Sequence, residues 1–362
     1  MTKKIAFYIS NHGFGHASRN IPIISTLLKL ENDMELHVKT GATQINFMKN
    51  HIKPQDNLHF YEADLDVGTI VKEGTLLIDE EETVRQVAEF VDTWEERIEK
   101  EKVFLEEQDI GMVITDICPW ILLAADDLRI KSIAISNFTW VELYRGFLPE
   151  ELCDAYAECY EAATQVMIYD VHHPEMENCN PNFELLSLVC RSFDMEEVER
   201  IRSEHERPIV FVSLSVLVSL EQEIEVGHLP YDFVVTPGIQ LKGDNVTYLP
   251  AVTKNTQNYV AASKYVITKA GWSTTAEVLL CNKKAAFLCR PNAVEDTNTI
   301  ALLKERGQGI EITDSDLKDV GSILKRLDDF HYSFDHEYHN DDYEIAKKIS
   351  FSYPKRKRRR AQ

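Results

Sequence analysis

The chain has no CxxC pair, no apolar run long enough to span a bilayer, and too little positive charge to balance its acidic residues. Its seven cysteines (Cys118, Cys153, Cys159, Cys179, Cys190, Cys281 and Cys289) are scattered and odd in number. That usage argues against a disulfide framework or a zinc site and suits buried thiols in a reducing compartment. The missing apolar run excludes a spanning helix from the sequence pattern. Lys3 and Lys4 resemble the start of a signal peptide, but the apolar stretch behind them ends at Asn11, so it reads as a first strand and the expected location is the cytoplasm. Lysine and arginine total 39 against 60 aspartates and glutamates, a net charge of −21. Six cations lie in Lys355–Arg360, so the rest carries −27, six below the whole-chain value. A body that acidic repels nucleic acid, which excludes DNA and RNA as partners of the folded part.

What is present is an ordinary soluble composition, 44% hydrophobic and 27% charged, over 362 residues. That length accommodates two domains with full cores. Strands are expected at Lys4–Ser10, Glu35–Lys39, Leu58–Glu62, Gly111–Thr115 and Lys131–Ser136. A long helix is expected over Glu80–Gln108, because Val84, Val87, Val91, Trp94 and Ile98 recur at three and four. A helix over Glu150–Gln165 leads into a strand at Val166–Asp170. Alternating strand and helix means a mostly parallel sheet covered on both faces. Pro174 and Pro181 break an irregular stretch, and Met195–Glu206 reads as a charged helix. The alternation then resumes at Ile209–Leu214, Asp232–Thr236, Val246–Leu249, Tyr265–Thr268, Ala285–Leu288 and Gly309–Ile312. The expected units are 1–187, 205–335 and a terminal helix with its basic tail, 341–362. Two α/β halves imply a cleft between them.

Three segments carry chemistry. Ile5–Leu28, IAFYISNHGFGHASRNIPIISTLL, reads as a buried strand, a glycine turn and an amphipathic helix. The turn presents His12 and His16 around Gly13 and Gly15, with Arg19 behind, at the carboxyl end of a strand where open α/β sheets bind ligands. It suits an anionic substrate and a moving proton. Asp116, at another strand's carboxyl end, is placed to orient a histidine. The second segment runs from strand Tyr265–Thr268 through Lys269-Ala270-Gly271 into a helix opening near Ser273. Its free N–H groups at Ser273, Thr274 and Thr275 favour an anion such as a diphosphate. Glu277, one turn on, is placed to accept from two ribose hydroxyls. Ser273 serving only as an N-cap is the alternative. In the third segment, RPNAVEDTN at Arg290–Asn298, Glu295, Asp296 and Asn298 are placed for sugar hydroxyls. No metal is expected: the turn histidines are four apart but not on a helix, and His172-His173-Pro174 does not show a ligand spacing.

In this order the three segments resemble the GT-B glycosyltransferases, above all the peptidoglycan N-acetylglucosaminyltransferase and diacylglycerol glycosyltransferase group. The turn NHGFGHASRN also resembles the GxGHxxR turn of related UDP-sugar hydrolases and the amino-terminal domain of arabinose kinases. The resemblance implies two Rossmann-like doubly wound domains facing a cleft. It implies His16 as catalytic base with His12 supporting, and the donor diphosphate on Gly271, Ser273 and Thr274. Glu277 would hold the ribose, and Glu295 and Asn298 the donor sugar. The implied activity is inverting transfer from a UDP-sugar to a hydroxyl acceptor, with no cofactor. Hydrolysis of a UDP-sugar and non-catalytic nucleotide-sugar binding are the alternatives. Two departures stand out: Ala270-Gly271 replaces Gly-Gly, and Ser213–Ser219, SLSVLVS, replaces a glycine turn. The acceptor, a lipid or glycan, is expected to meet Asp66–Asp79 and the aromatic Asn137–Pro149, with core packing of those aromatics the alternative. The basic tail Lys355–Arg360 is expected either to be a solvated end or to hold the protein at an anionic membrane surface.

Overall fold

The computed structural model describes residues 2–72, 75, 77–214, 223–251, 253–290 and 292–354. The tail Lys355–Arg360 and most of the Ser213–Ser219 turn lie outside the described residues. Two parallel sheets follow one another along the chain. The first contains β1 (Lys3–Ile9), β2 (Met34–Thr40), β3 (Leu58–Glu62), β4 (Met112–Asp116), β5 (Lys131–Ser136), β6 (Gln165–Ile168) and β7 (Phe183–Leu185), in the order β3-β2-β1-β4-β5-β6-β7. The remaining strands are β8 (Ile209–Ser213), β9 (Ile224–Glu225), β10 (Asp232–Val235), β11 (Leu241–Lys242), β12 (Val246–Tyr248), β13 (Tyr265–Lys269), β14 (Lys284–Leu288) and β15 (Ile310–Ile312). Six of them form the second sheet, β12-β10-β8-β13-β14-β15, and β9 pairs with β11 separately. In both sheets the order reverses direction beside the first strand, and that switch opens a crevice at the carboxyl ends.

The central strands are apolar runs because both of their faces are covered. Ile5 to Ile9 of β1 are all buried, as are Met112 to Asp116 of β4. One buried cluster covers a face of the first sheet and continues through Ile21, Ile24 and Leu28 into Trp272, Ala276 and Leu279 of the second half. The two halves therefore share a core across the cleft.

Several elements differ from the sequence reading. The expected long helix is two, Glu80–Val91 and Trp94–Glu107. At the break the Thr93 hydroxyl donates to the Phe90 carbonyl at 2.6 Å, the local competition that bends helices. Trp94 then turns inward against Tyr156, ring centroids 4.9 Å apart. The aromatic segment 137–149 is core rather than an open acceptor surface. Trp140 and Tyr144 are buried and stack at 5.2 Å. Among the described residues no helix is long and apolar enough to cross a membrane.

The terminal helix Asp342–Ser352 returns to the first half and packs on the first helix, Gly15–Leu30. Thr26 donates to Asp342, and the Tyr353 hydroxyl accepts from the Lys4 amide. Ile345, Ala346 and Ile349 are fully buried there. Ile349→Ala leaves a cavity under the first sheet and is expected to cost about 2–5 kcal/mol. Urea denaturation measures it, and a loss below about 0.5 kcal/mol would mean that the helix is not part of the folded core.

Candidate active site

Strand order assembles the site. β1 and β4 are neighbours with Ile9 opposite Asp116, so the turn after β1 starts beside that carboxylate. Gly13 turns the chain with φ +75°, a conformation that glycine adopts without steric cost. The Gln44 amide pins the turn from outside, donating to the carbonyls of Asn11 and Gly13 at 2.8 Å each. The helix begins at Gly15, so His16, Arg19 and Asn20 fall on one face.

All three reach Asp116. Arg19 Nε donates to Oδ2 at 2.7 Å and Nη2 to Oδ1 at 2.5 Å. Asn20 Nδ2 donates to Oδ2 at 2.6 Å, and His16 Nδ1 lies 2.9 Å from Oδ1. Burial alone would raise the Asp116 pKa, but Arg19 and His16 outweigh it and hold the value at about 2. This corrects the expectation that Arg19 faces an anionic substrate. Arg19 is only 2% exposed, and Asp116, Asn137 and Ser136 take up its donors.

That saturation settles the histidine's tautomer. Arg19 Nη2 lies 3.0 Å from His16 Nδ1, but its two protons already go to Asp116 and Ser136. Asp116 is ionised and only accepts. Nδ1 therefore carries the proton and donates to Asp116, which leaves Nε2 with a free lone pair.

The second half meets this turn directly. The helix Trp272–Leu280 opens at Gly271, which is its N-cap. Ser273 is not the cap: its hydroxyl donates across the cleft to the Gly15 carbonyl at 3.0 Å. The Thr275 hydroxyl and amide both return to the Gly271 carbonyl, each at 3.1 Å. The amides of Ser273 and Thr274 have no acceptor among the described residues, so they remain donors at the positive end of the helix. Trp272 lies 5.1 Å from the Arg19 guanidinium, beside Tyr169 at 5.2 Å, and its indole N–H donates to the Asp170 carbonyl at 2.9 Å. Arg19 thus lies against a pair of aromatic rings, one from each half, that pack on each other with centroids 4.7 Å apart.

The other expected donor residues sit as follows. Glu277 is buried, and its carboxyl is pushed up by that burial despite Arg191 Nη2 at 3.4 Å. Asp296 is consumed structurally, accepting from Arg290 Nε and Nη2 at 2.7 and 2.6 Å. Glu295 keeps a half-open carboxylate 4.0 Å from Arg290. Asn298 donates to the His172 carbonyl at 3.0 Å, bridging the halves. Glu295 and Asn298 line one gap with Asn137, Phe138, Leu143 and His173. His172 Nε2 lies 2.9 Å from the Glu177 carboxylate five residues on.

His12 is open to the cleft by area yet crowded on its inner side, where Gly68, at φ +73°, packs flat on the ring. That crowding, with His16, Lys269 and Arg290 nearby, lowers its pKa to about 4 and keeps it neutral near pH 7. Sequence reasoning missed two residues. Lys269, at the end of β13, has no hydrogen-bond partner among the described residues, and burial followed by Arg290 lowers its pKa. Asp66 was named only as the start of a loop. It is 5% exposed, and neither oxygen has a hydrogen-bond partner. Ser10 and Trp140 lie against it without aligning, and burial raises its pKa to about 6. In the sequence Lys269 reads only as part of the turn Lys269-Ala270-Gly271, with no role of its own, and no spacing marks Asp66.

No family model matches the chain. An L-arabinokinase of Arabidopsis thaliana is 30% identical over 144 residues, 40% of this chain but only 13% of that longer protein. Solved structures match over nearly the whole length. The calicheamicin glycosyltransferase CalG4 superposes with TM-score 0.63 at 12% identity, covering 97% of this chain and 94% of that one. The Phytolacca americana UGT2, solved with UDP-2-fluoro-glucose and pterostilbene, gives TM-score 0.61 at 12% identity, covering 97% and 95%. SsfS6 of Streptomyces sp. SF2575 gives 0.58 at 16% identity, covering 96% and 95%. At these identities the likeness establishes the fold. The chain has the GT-B architecture of two Rossmann-like domains.

Asp66 yields a pH-dependent prediction. Its pKa rises from an ordinary 3.8 to about 6, so folding favours the protonated acid. Stability from this group is complete below pH 4 and lost as pH rises through 6. Asp66→Asn is therefore expected to stabilise the protein by about 1–3 kcal/mol at pH 8 and to lose that gain below pH 4. Urea denaturation at the two pH values checks this, and a pH-independent difference would contradict it.

Proposed function

We propose that this protein transfers a sugar from a nucleotide diphosphate donor, UDP-linked, to a hydroxyl acceptor with inversion at the anomeric carbon. One observation carries the reading: His16, with Nδ1 committed to Asp116 and Nε2 bare, stands one residue from the Gly15 carbonyl that receives the Ser273 hydroxyl. A proton acceptor and an anion-binding helix end therefore face the same space. The acceptor hydroxyl loses its proton to His16 Nε2 as its oxygen bonds to the anomeric carbon. The bond from that carbon to the diphosphate oxygen breaks, and the departing charge meets the free amides of Ser273 and Thr274 with Lys269 nearby. Asp116 stabilises the imidazolium formed. His12, neutral at pH 7, supports the substrate as an uncharged hydrogen-bonding group.

Glu277 fits the ribose role, since its buried carboxyl has only one long contact to Arg191. Glu295 and Asn298 fit the donor sugar at the gap between the halves. UDP-2-fluoro-glucose in the Phytolacca enzyme and thymidine diphosphate in SsfS6 support a nucleotide-sugar donor for this fold. The acceptor half of the reading, a lipid or glycan hydroxyl met at an anionic membrane surface, rests on the six-cation tail of the sequence.

The test is calorimetry with UDP and TDP, followed by assays of donor turnover. His16→Ala is expected to cut turnover by roughly 10²–10⁴ and to leave UDP affinity unchanged. Glu277→Gln is expected to weaken UDP binding by on the order of 1.5–3 kcal/mol. The amide is preferred to alanine here because it does not leave Arg191 facing a cavity. UDP and free sugar released without acceptor would make the protein a hydrolase, and binding without turnover a sensor. Wild-type turnover in His16→Ala would remove this mechanism.

A further inference from the structure

A second constellation lies at the opposite end of the first sheet. In the β1-β2-β3 register, Lys4 pairs with Glu35, and His37 with His59. Glu35 and His37 are two apart on β2, so Glu35, His37, His59 and Lys4 all project from one face. The cluster sits in the amino-terminal halves of β2 and β3, away from the cleft at the carboxyl ends.

The three potential ligands converge on one point. His37 Nε2 lies 3.0 Å from Glu35 Oε1, and His59 Nε2 lies 3.5 Å from the same oxygen. Their ligand atoms all fall within 4.8 Å of one another. A tetrahedral ion with bonds near 2.0–2.1 Å separates its ligand atoms by about 3.3 Å, so little movement would seat an ion. His37 is the buried floor at 1% exposure, while the Glu35 and His59 side chains are 22% and 40% exposed. One coordination position therefore opens to water. The Tyr61 hydroxyl lies 3.0 Å from His37 Nδ1 and can accept its proton, the outer contact that leaves Nε2 free to ligate. Tyr61 and Phe104 hold the ring, the first stacked at 5.8 Å and the second edge-on at 6.1 Å.

We propose that Glu35, His37 and His59 form a site for a divalent transition-metal ion, with Zn²⁺ the fitting member, that clamps edge strand β3 to β2. Two imidazoles and a carboxylate select this class over hard oxygen-seeking ions such as Mg²⁺. β3 has only one neighbour in its sheet, so an ion across the pair would add a cross-link that the ladder lacks. Lys4 opposes the ion. Its ammonium lies 3.2 Å from Glu35 Oε1, and its partly exposed side chain must swing into water when the metal enters. Glu35 then exchanges the ammonium and the two imidazole contacts for the ion, and each imidazole carries its one proton on Nδ1 so that Nε2 ligates through its lone pair.

The test uses the full chain, stripped with chelator and desalted. Zn²⁺ titrated by calorimetry is expected to bind at one equivalent and to raise the melting temperature by mass action. Co²⁺ added to the same protein is expected to give a visible ligand-field band. His59→Asn, at an exposed position, should melt like the wild type without metal, lose the Zn²⁺-induced shift and bind at least tenfold more weakly. Lys4→Ala should bind more tightly. Tyr61→Phe should weaken binding about 10–100-fold, the usual effect of removing an outer partner. Donor turnover should not change with Zn²⁺ occupancy, so this result and that for the sugar-transfer reading stand apart. No saturable binding, or binding unchanged in His59→Asn, overturns the site.

Discussion

The buried pair of Arg19 and Asp116 is the interaction on which the rest of the structure depends. Two charges removed from water are costly unless nearly every donor and acceptor is used. Here they are. Asp116 accepts from Arg19, Asn20 and His16, and Arg19 spends its remaining protons on Asn137 and Ser136. The pair thereby ties the first helix to the ends of β4 and β5. Through the faces of Tyr169 and Trp272 it also ties the two halves of the molecule together. Removing one member would leave the other charge buried and unpaired, a loss of about 3–5 kcal/mol. The same contacts dictate which nitrogen of His16 is bare.

The cleft above this pair is electrostatically uneven. Its inner wall holds a neutral His12 and, among the described residues, an unpaired Lys269 and two free amides at the helix end. Below lies Asp66, a carboxylate buried without partners. Such groups are costly for folding, and they cluster where function keeps them. Asp296 shows the contrast. It too is fully buried, but Arg290 saturates it, and it shapes the loop instead of facing a ligand.

Much of this was legible in the sequence. Apolar runs bounded by glycine turns marked the central strands. The turn Ser10–His16 and the helix start after Gly271 stood out because their chemistry is local, confined to a few consecutive residues. His16 with Asp116 was also readable, since both follow strands. The role of Arg19 was not. Whether an arginine meets substrate or a buried carboxylate depends on the neighbour of β1, and only the β1–β4 register decides that. The roles of Asp66 and Lys269 were hidden for the same reason, because a lone acidic or basic residue becomes notable only when the fold denies it a partner. The aromatic segment at 137–149 left two readings open because sugar platforms and cores use the same rings, and its burial decides for core. The last helix read as a helix, but its return to the first half rests on long-range packing of Ile345 and Ile349.

The central claim is that Asp116, held by Arg19, fixes His16 with its proton on Nδ1 and leaves Nε2 bare. Nitrogen-15 NMR of the His16 ring in labelled protein measures this directly. The account predicts a protonated Nδ1 and an unprotonated Nε2 near neutral pH, with that preference lost in Asp116→Asn. A His16 ring carrying its proton on Nε2 in the wild type would contradict it.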